Sequence, residues 1–326
     1  MEATLNHGNT LDPAEWDAFV ETSPQGNIYH LHHYLEHLIP GWLAAVLREG
    51  GRIVAVFPFA VKTRLGMGYA LQPYFAQYLG VLFRPAVESV YKDLEFQKKA
   101  LQLLHEALPA GVRYFEFNFA PEFNYDLPLL WLGWQQKSRY TYWVDLRGGY
   151  DQVVAACASH VRREVKKADQ AGLVVREENN PECVVQILQS AKPAAVRQIP
   201  AAAFAGLCQN SRSLHAQGKS SCFIGYDGDQ PVAGIIYFYF RNKMIYYQGS
   251  TLPDYKNSGI MSKIILESIR QHGHRHQYLD FDGSMLEPIE RFLRGFGAFP
   301  VRYSNFRLNR LPRWAKWAYR LRRYAQ

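Results

Sequence analysis

The chain has 326 residues, of which 48% are hydrophobic and 20% charged, with a formal net charge of +8 at pH 7. The length predicts about two domains, and the hydrophobic content supports a sizeable core, which excludes a wholly disordered chain. No apolar run approaches the roughly 20 residues that span a bilayer. The N-terminus has no apolar core of a signal peptide and the four cysteines are far apart, so we expect buried thiols in a cytoplasmic protein.

One order of predicted elements occurs twice along the chain: a hairpin with a glycine-containing turn, an aromatic strand, a helix and a further strand. The first set comprises strands Trp42 to Leu47, Ile53 to Val61 and Gln77 to Phe83, a helix near Lys92 to Ala107, and the strand Val112 to Asn118. The second set comprises strands Ser221 to Tyr226, Val232 to Phe240 and Met244 to Ser250, a helix near Gly259 to His272, and the strand Gln277 to Asp282.

This repetition predicts a mixed α/β fold of two tandem domains, each a twisted sheet flanked by helices, with the active cleft between them. Between the two sets, a strand Tyr140 to Leu146 precedes a long polar helix, Tyr150 to Ala171, which ends at Gly172. We therefore assign the first domain to residues 1–147, the second to 148–310 and a C-terminal helix to 311–326.

The positive charge is concentrated at the C-terminal end, because ten of the 37 Lys and Arg residues follow the last acid, Glu290. Beyond Pro312, Trp314, Trp317 and Leu321 share one face of the predicted helix. Such a helix is typical of a membrane interface, where it would bind anionic lipid head groups. A helix that docks its two tryptophans onto the domain has the same pattern, so both interpretations stay open.

The segment Lys256-Asn-Ser258-Gly259-Ile-Met261 lies between an aromatic strand and a helix. The start of a helix offers unpaired N–H groups and partial positive charge to an anion, which predicts a phosphate site here. An ordinary turn with a helix cap would show a similar sequence.

Two carboxylates follow in the next strand. Strand alternation places Asp280 and Asp282 on one face, where an acid in a cleft can take a proton from an attacking amine. A purely structural role, such as the pairing of Asp280 with an arginine, is the alternative. The polar helix also carries Arg162, Arg163, Lys166 and Lys167, a surplus of positive charge that suits a phosphate ligand or simply faces solvent.

In this order the motifs resemble the FemABX-like group, whose members carry two GCN5-related acetyltransferase (GNAT) folds in tandem. The similarity covers residues 155 to 308 well: Arg163, Lys167-Ala168 and Gly172 on the basic helix, a degenerate form of the pyrophosphate loop R/Q-x-x-G-x-G/A, then Asp280-Phe-Asp-Gly283 and Phe292-Leu-Arg-Gly-Phe296-Gly297. It is looser in the first half, where Asn27 to His30 and Gln77 to Gly80 look like segments on the substrate side.

The resemblance implies transfer of an acyl group from acyl-CoA, such as acetyl-CoA, to an amine of a cell-wall precursor or sugar nucleotide, without a covalent acyl-enzyme or a permanently bound cofactor. Asp282 would be the general base, with Glu116 as the fallback, and Tyr247 or Tyr255 would protonate the thiolate. The residues expected to contact coenzyme A are Gln248, Gly249, Lys256, Ser258 and Gly259, the backbone of the first two also holding the oxyanion. The residues expected to contact the acceptor are Arg163, Lys167, Tyr29 and Asp280.

One departure bears on the acyl donor. Members that use aminoacyl-tRNA typically have F-K-x-x-F-G, with a lysine that assists acyl transfer, and here Leu293 replaces it while Arg294 comes one position later. This favours acyl-CoA and leaves a tRNA-dependent aminoacyltransferase, or a binding protein that retains the fold, as the alternatives. The histidines near His33 and His37, and those from His272 to His276, lack the context of a metal site, and no metal is expected.

Overall fold

The computed structural model describes residues 1–64, 66–87, 89–191 and 198–312. The chain folds into two compact units, the first formed by Met1–Arg139 together with residues from Tyr303 onward, the second by Tyr140–Arg302. The chain passes from one unit to the other inside two long strands. These bounds differ from the sequence-based division at residues 147 and 310, because the strand that ends each half of the sequence pairs with strands of the other half.

The first unit contains most of the short strands. They are β1 (Glu2–His7), β2 (Leu43–Glu49), β3 (Arg52–Phe59), β4 (Lys62–Arg64), β5 (Met67–Leu71), β6 (Leu82–Phe83), β7 (Val112–Phe119) and the first part of β8 (Gln135–Asp145). Its helices are α1 (Pro13–Thr22), α2 (His32–Leu38), α3 (Val90–Glu106) and α4 (Leu127–Trp131). β1, β2, β3 and β6 form one sheet in that order, and β5 runs parallel to β7. Buried aromatic rings such as Phe57, Phe117 and Trp134 fill the core.

In the second unit the described strands follow one another in the order β8, β13, β12, β11, β10, β9, and among them only β12 and β13 are parallel. Its strands are β9 (Val174–Glu178), β10 (Ser220–Asp227), β11 (Gln230–Phe240), β12 (Lys243–Thr251), β13 (Tyr278–Asp280) and the start of β14 (Phe299–Asn309). Its helices are α5 (Gly149–Ala156), α6 (Ser159–Gln170), α7 (Pro181–Ala191), α8 (Ala201–Ala216), α9 (Ile260–His272) and α10 (Glu287–Arg294). Residues 304–309 of β14 pair with β7 in the first unit.

Both predicted hairpins are confirmed, as β2–β3 and β10–β11, and so is the α/β class. The expected strand Gln77 to Phe83 is wrong except for its last two residues. The backbone carbonyls at and just before the start of this segment bond to side-chain amides instead of a neighbouring strand. Gln72 Nε2 donates to the Ala76 carbonyl at 2.7 Å, and Asn118 Nδ2 donates to the Gln77 carbonyl at 3.1 Å. Phe75, with a φ of +59°, also departs from an extended chain.

The long polar helix predicted from Tyr150 to Ala171 is in fact two helices, α5 and α6. Cys157 and Ala158 are extended between them, and the Ala158 N–H donates to the Gly295 carbonyl at 2.8 Å instead of continuing a helix. The helix end at Gly172 is confirmed, because this glycine has a φ of +70°. The four cysteines are buried free thiols, as expected.

Of the C-terminal helix predicted for 311–326, residues 313–326 lie outside the described residues. Within the described part of the chain, no helix has the length and hydrophobicity to cross a bilayer.

Candidate active site

An open strand edge is the main feature of the second unit. β12 pairs with β13 only from Lys243 to Ile245, opposite Tyr278 to Asp280. β13 then ends, whereas β12 continues on its other side against β11 as far as Thr251. In the part of the chain that the structure describes, the last residues of β12 therefore have one edge without a strand beside it, next to the point where Asp280 ends its strand.

The backbone direction along this edge follows from one hydrogen bond. The Leu252 N–H donates to the Val232 carbonyl at 2.8 Å, so Thr251 and Ala233 form a pair without mutual hydrogen bonds. By the alternation of an antiparallel ladder, the Gln248 N–H points to β11 and the Gly249 N–H points to the open edge. Of the two backbone groups expected to hold an oxyanion, Gly249 alone has the required direction.

The predicted phosphate loop follows β12 and leads into α9. Gly259 has a φ of +83° and begins the helix, and Ser258 Oγ accepts a hydrogen bond from the Ile260 N–H at 3.2 Å. The Ser258 hydroxyl also donates to the Tyr255 carbonyl at 2.7 Å, whereas Lys256 is exposed. The loop lies between a strand end and a helix start, as the sequence predicts, and a left-handed glycine makes the turn into the helix.

Helix α6 covers this loop closely. A β-carbon built on Gly259 would lie 2.0 Å from the Glu164 carbonyl oxygen, and the Ser262 hydroxyl donates to Glu164 Oε2 at 2.5 Å. Lys167 Nζ donates to the Asn257 carbonyl at 2.6 Å, so this lysine fastens the helix to the loop. Arg163 is exposed on the same helix.

The two candidate carboxylates differ in their surroundings. Asp280 is buried, and its Oδ1 accepts hydrogen bonds from the Thr141 hydroxyl at 2.6 Å and from the Asp282 N–H at 2.9 Å. Burial raises the pKa of Asp280, although the charge of Lys243 and the Thr141 hydrogen bond lower it. Asp282 is partly exposed and has a φ of +58°. It therefore lies in a turn after the strand, and its N–H hydrogen bond to Asp280 stabilises that turn.

The expectation that Asp280 and Asp282 lie on the same face of one strand is therefore wrong, because the strand ends at Asp280. Leu279 and Phe281 are buried in the core of this unit. At the site of the replaced lysine, Leu293 is a buried core residue and exposed Arg294 pairs with Glu290 at 3.0 Å.

The tyrosines expected to act as acids lie elsewhere. Tyr247 is buried and stacks on Phe238, with ring centroids 4.0 Å apart, and the Tyr255 hydroxyl donates to Asp227 at 2.7 Å. Tyr246, which no local sequence pattern marks, has its hydroxyl on the sheet face over Gly249, where a β-carbon on that glycine would be 2.1 Å away. Burial raises the pKa of Tyr246, so this phenol keeps its proton at neutral pH.

A register irregularity in β12 explains why the sequence pointed to the neighbouring tyrosine. The pairing with β11 shifts between Ile236 and Tyr237, so Tyr247 is an extra residue in its strand. The bulge turns Tyr246 and Gly249 to the same side of the sheet, which simple alternation does not allow. The available clue was Gly249, because an isolated glycine inside a strand often marks a bulge.

Two predicted residues belong to the first unit and are described within it. Tyr29 is buried, with its ring in edge contact with Tyr34 at 5.5 Å. Glu116 accepts a hydrogen bond from the Tyr114 hydroxyl at 2.5 Å. In this unit the segment after β5 is still hydrogen-bonded to β7: the Leu79 N–H donates to the Asn118 carbonyl at 2.9 Å. Among the described residues, no three His, Cys, Asp or Glu side chains gather in a set that could hold a metal ion.

Comparison with known proteins agrees with this geometry. Residues 155–284 match the family model of the acetyltransferase (GNAT) domain. A structure described as FemX has a TM-score of 0.64 at 13% identity and covers 93% of this chain and 97% of its own. L-PGS from Bacillus licheniformis has a TM-score of 0.55 at 12% identity, with coverage of 92% and 93%. No curated protein is significantly similar in sequence.

A tandem GNAT protein from the clavulanic acid biosynthesis pathway has a TM-score of 0.53 at 9% identity and covers 95% of this chain and 99% of its own. These likenesses confirm the predicted fold, the tandem GNAT arrangement of FemABX-like proteins. The matched domain is that of an acetyltransferase, which confirms the predicted class of enzyme, an N-acyltransferase.

Proposed function

We propose that the protein transfers an acyl group from acyl-CoA to an amine. One observation carries the proposal: along β12, the Gly249 N–H at the open edge follows Ile245, which pairs with Asp280, and precedes the phosphate loop that ends at Gly259. The pyrophosphate of coenzyme A would bind at the start of α9, and the thioester would lie along the open edge. Lys256 and Ser258 belong to the same loop.

In the reaction, the amine nitrogen attacks the thioester carbonyl carbon, a C–N bond forms and the C–S bond breaks. The Asp282 carboxylate takes the proton that the amine loses, and the leaving thiolate accepts a hydrogen bond from the Tyr246 hydroxyl before solvent protonates it. The Gly249 N–H donates a hydrogen bond to the carbonyl oxygen as negative charge develops there. Asp280 acts as a positioning residue, because its carboxylate accepts the Asp282 N–H at 2.9 Å.

For the acceptor, the resemblance to FemABX-like proteins supports an anionic amine, such as a cell-wall precursor or a sugar nucleotide. Exposed cations of α6, among them Arg163, lie on the helix that covers the loop and suit a phosphate of such a ligand. Reaction in the cytoplasm, at the inner membrane face for a lipid-linked acceptor, is part of this proposal. Tyr29 and Glu116 stay predictions for the acceptor side.

A second donor, the ester of an aminoacyl-tRNA, is favoured by one specific observation. The backbone of Glu164 contacts Gly259, and its carboxylate accepts a hydrogen bond from Ser262 in the first turn of α9. A carboxylate there competes with a pyrophosphate for the same partial positive charge. An ester donor without that pyrophosphate avoids the competition.

Calorimetry with acetyl-CoA separates the two donors. Wild type is compared with Gly259→Glu, which adds bulk and negative charge at the loop, and with Gly172→Glu as the matched control. Gly172 also has a positive φ, but a β-carbon there meets nothing within 4 Å. We expect micromolar binding to wild type and Gly172→Glu, and loss of binding in Gly259→Glu. Failure of wild type to bind acetyl-CoA would refute this donor, and consumption of aminoacyl-tRNA would then support the second.

A further inference from the structure

A contact between Tyr246 and Met261 joins the sheet face of β12 to the first turn of α9. The Tyr246 hydroxyl donates to Met261 Sδ at 3.6 Å. The same oxygen lies over the backbone of Gly249, whose missing side chain leaves room for it. Three residues from separate parts of the motif therefore meet at one point of the proposed acyl path.

The ring of Tyr246 is held from behind. Its centroid lies 5.9 Å from that of Tyr237 in an edge contact, and 5.8 Å from that of Phe281. Phe281 in turn packs against Phe296 at 5.8 Å, and both phenylalanines are buried. Because protein interiors are close-packed, the Tyr246 ring cannot move toward the core without displacing these neighbours.

Met261 is the other side of the contact. The family loop usually has glycine or alanine at this position, whereas the methionine here is long enough to reach the tyrosine. A thioether is a weak acceptor and methionine is flexible, so a ligand can displace the sulfur at small cost. The Tyr246 ring therefore keeps its position, whereas the Met261 side chain can change its rotamer.

We propose that Tyr246 and Met261 together restrict the acyl group of the donor to the size of an acetyl group. This inference rests on the proposed use of acyl-CoA. An acetyl group reaches the Gly249 N–H with a shift of the Met261 side chain alone. A longer alkyl chain extends past the carbonyl carbon into the space that the Met261 side chain and the Tyr246 ring, backed by Phe281, occupy together.

The test compares the binding of acetyl-CoA and hexanoyl-CoA by calorimetry, which needs no knowledge of the acceptor. We expect wild type to bind acetyl-CoA at least about tenfold more tightly, since each poorly accommodated methylene is costly in a fixed pocket. Met261→Ala should reduce this ratio to about threefold or less by widening the space for hexanoyl-CoA. Met285→Ala is the matched control, because Met285 is 53% exposed and has no part in the contact.

Melting curves of each variant show whether it is folded. Tyr246→Leu provides a second route to the same widening if Met261→Ala unfolds. Equal affinity of wild type for the two thioesters, or an unchanged ratio in both folded variants, would overturn the size restriction while leaving the acyl-CoA donor intact. Failure of wild type to bind either thioester would refute the donor, and the restriction with it.

Discussion

Glu164 and Gly259 are in direct backbone contact: a β-carbon on Gly259 would lie 2.0 Å from the Glu164 carbonyl oxygen and 2.6 Å from its carbonyl carbon. Gly259 also has a φ of +83°, a region that residues with side chains seldom adopt. Glycine is therefore required at this position for two reasons: the left-handed turn into α9 and the close approach of α6. The helix start that would bind the donor and the basic helix are coupled through this residue.

Gly259→Ala should consequently separate α6 from α9. Left-handed backbone costs about 1 kcal/mol for alanine, and overpacking against a backbone atom adds about 1–3 kcal/mol. We expect the free energy of unfolding to fall by about 2–4 kcal/mol, measured by urea denaturation.

Gly172→Ala serves as the control for this substitution. Its φ of +70° carries a similar backbone cost, but nothing lies within 4 Å of a β-carbon there. Its loss should be limited to about 1 kcal/mol. Equal losses in the two variants would contradict the tight approach of Glu164.

A second prediction concerns the charge of Glu164. Its carboxylate accepts a hydrogen bond from Ser262 within the first turn of α9, where negative charge is favoured. Glu164→Gln retains a hydrogen-bond acceptor and removes the charge, so the affinity for inorganic pyrophosphate and acetyl-CoA should rise about threefold to tenfold. Calorimetry at low and at physiological ionic strength measures the change.

Asp169→Asn is the matched control for that charge change. Asp169 is the other acid near the end of α6 and pairs with Lys263 of α9 at 2.6 Å, outside the first turn. Neutralising it should alter the affinity much less. An affinity that responds equally to both variants would indicate a general charge effect instead of a specific role of Glu164.

The elements that the sequence predicts well depend on neighbours in the chain. The hairpins follow from apolar runs joined by glycine turns, and α9 follows from its periodicity and the preceding Gly259. The same is true of the end of α6 at Gly172. Local preference and tertiary structure agree in these segments.

What the sequence does not predict depends on distant partners. The break between α5 and α6 requires the Gly295 carbonyl, more than a hundred residues away, and the exchange of strand ends between the halves is equally non-local. At the site, the bulge at Tyr247 reverses the faces of its neighbours, so Tyr246 was missed. The left-handed turn at Asp282 depends on the buried Asp280 carboxylate, which no local pattern reveals.

A pH prediction follows from Asp280. Burial raises the pKa of this carboxyl above the 3.8 of an ordinary aspartate, so the folded protein holds the proton more tightly than the unfolded chain. Its contribution to stability is thus fully present below pH 3.8 and is lost as the pH rises through the folded-state pKa. Asp280→Asn keeps a hydrogen-bond acceptor for the Thr141 hydroxyl and the Asp282 N–H, and its side chain does not ionise.

We therefore expect the difference in melting temperature between Asp280→Asn and wild type to shift in favour of the variant as the pH rises above 3.8. The histidines His30 and His276, whose pKa burial lowers to about 4, titrate equally in both proteins and cancel in that difference. A difference that stays constant with pH would show that Asp280 has the same affinity for protons in the folded and unfolded chain.

Replacing Asp282 by asparagine tests the general base directly. Asparagine tolerates the φ of +58° at this position, so the fold and the affinity for acetyl-CoA should be retained. Turnover, measured as release of the coenzyme A thiol with a panel of amines, should fall about 10²–10⁴-fold, because the attacking amine has no acceptor for its proton. A purely structural role predicts no pH effect, whereas loss of a base predicts partial recovery of the variant between about pH 7 and pH 9, as solvent takes over proton removal. Unchanged turnover in Asp282→Asn would exclude the assigned role.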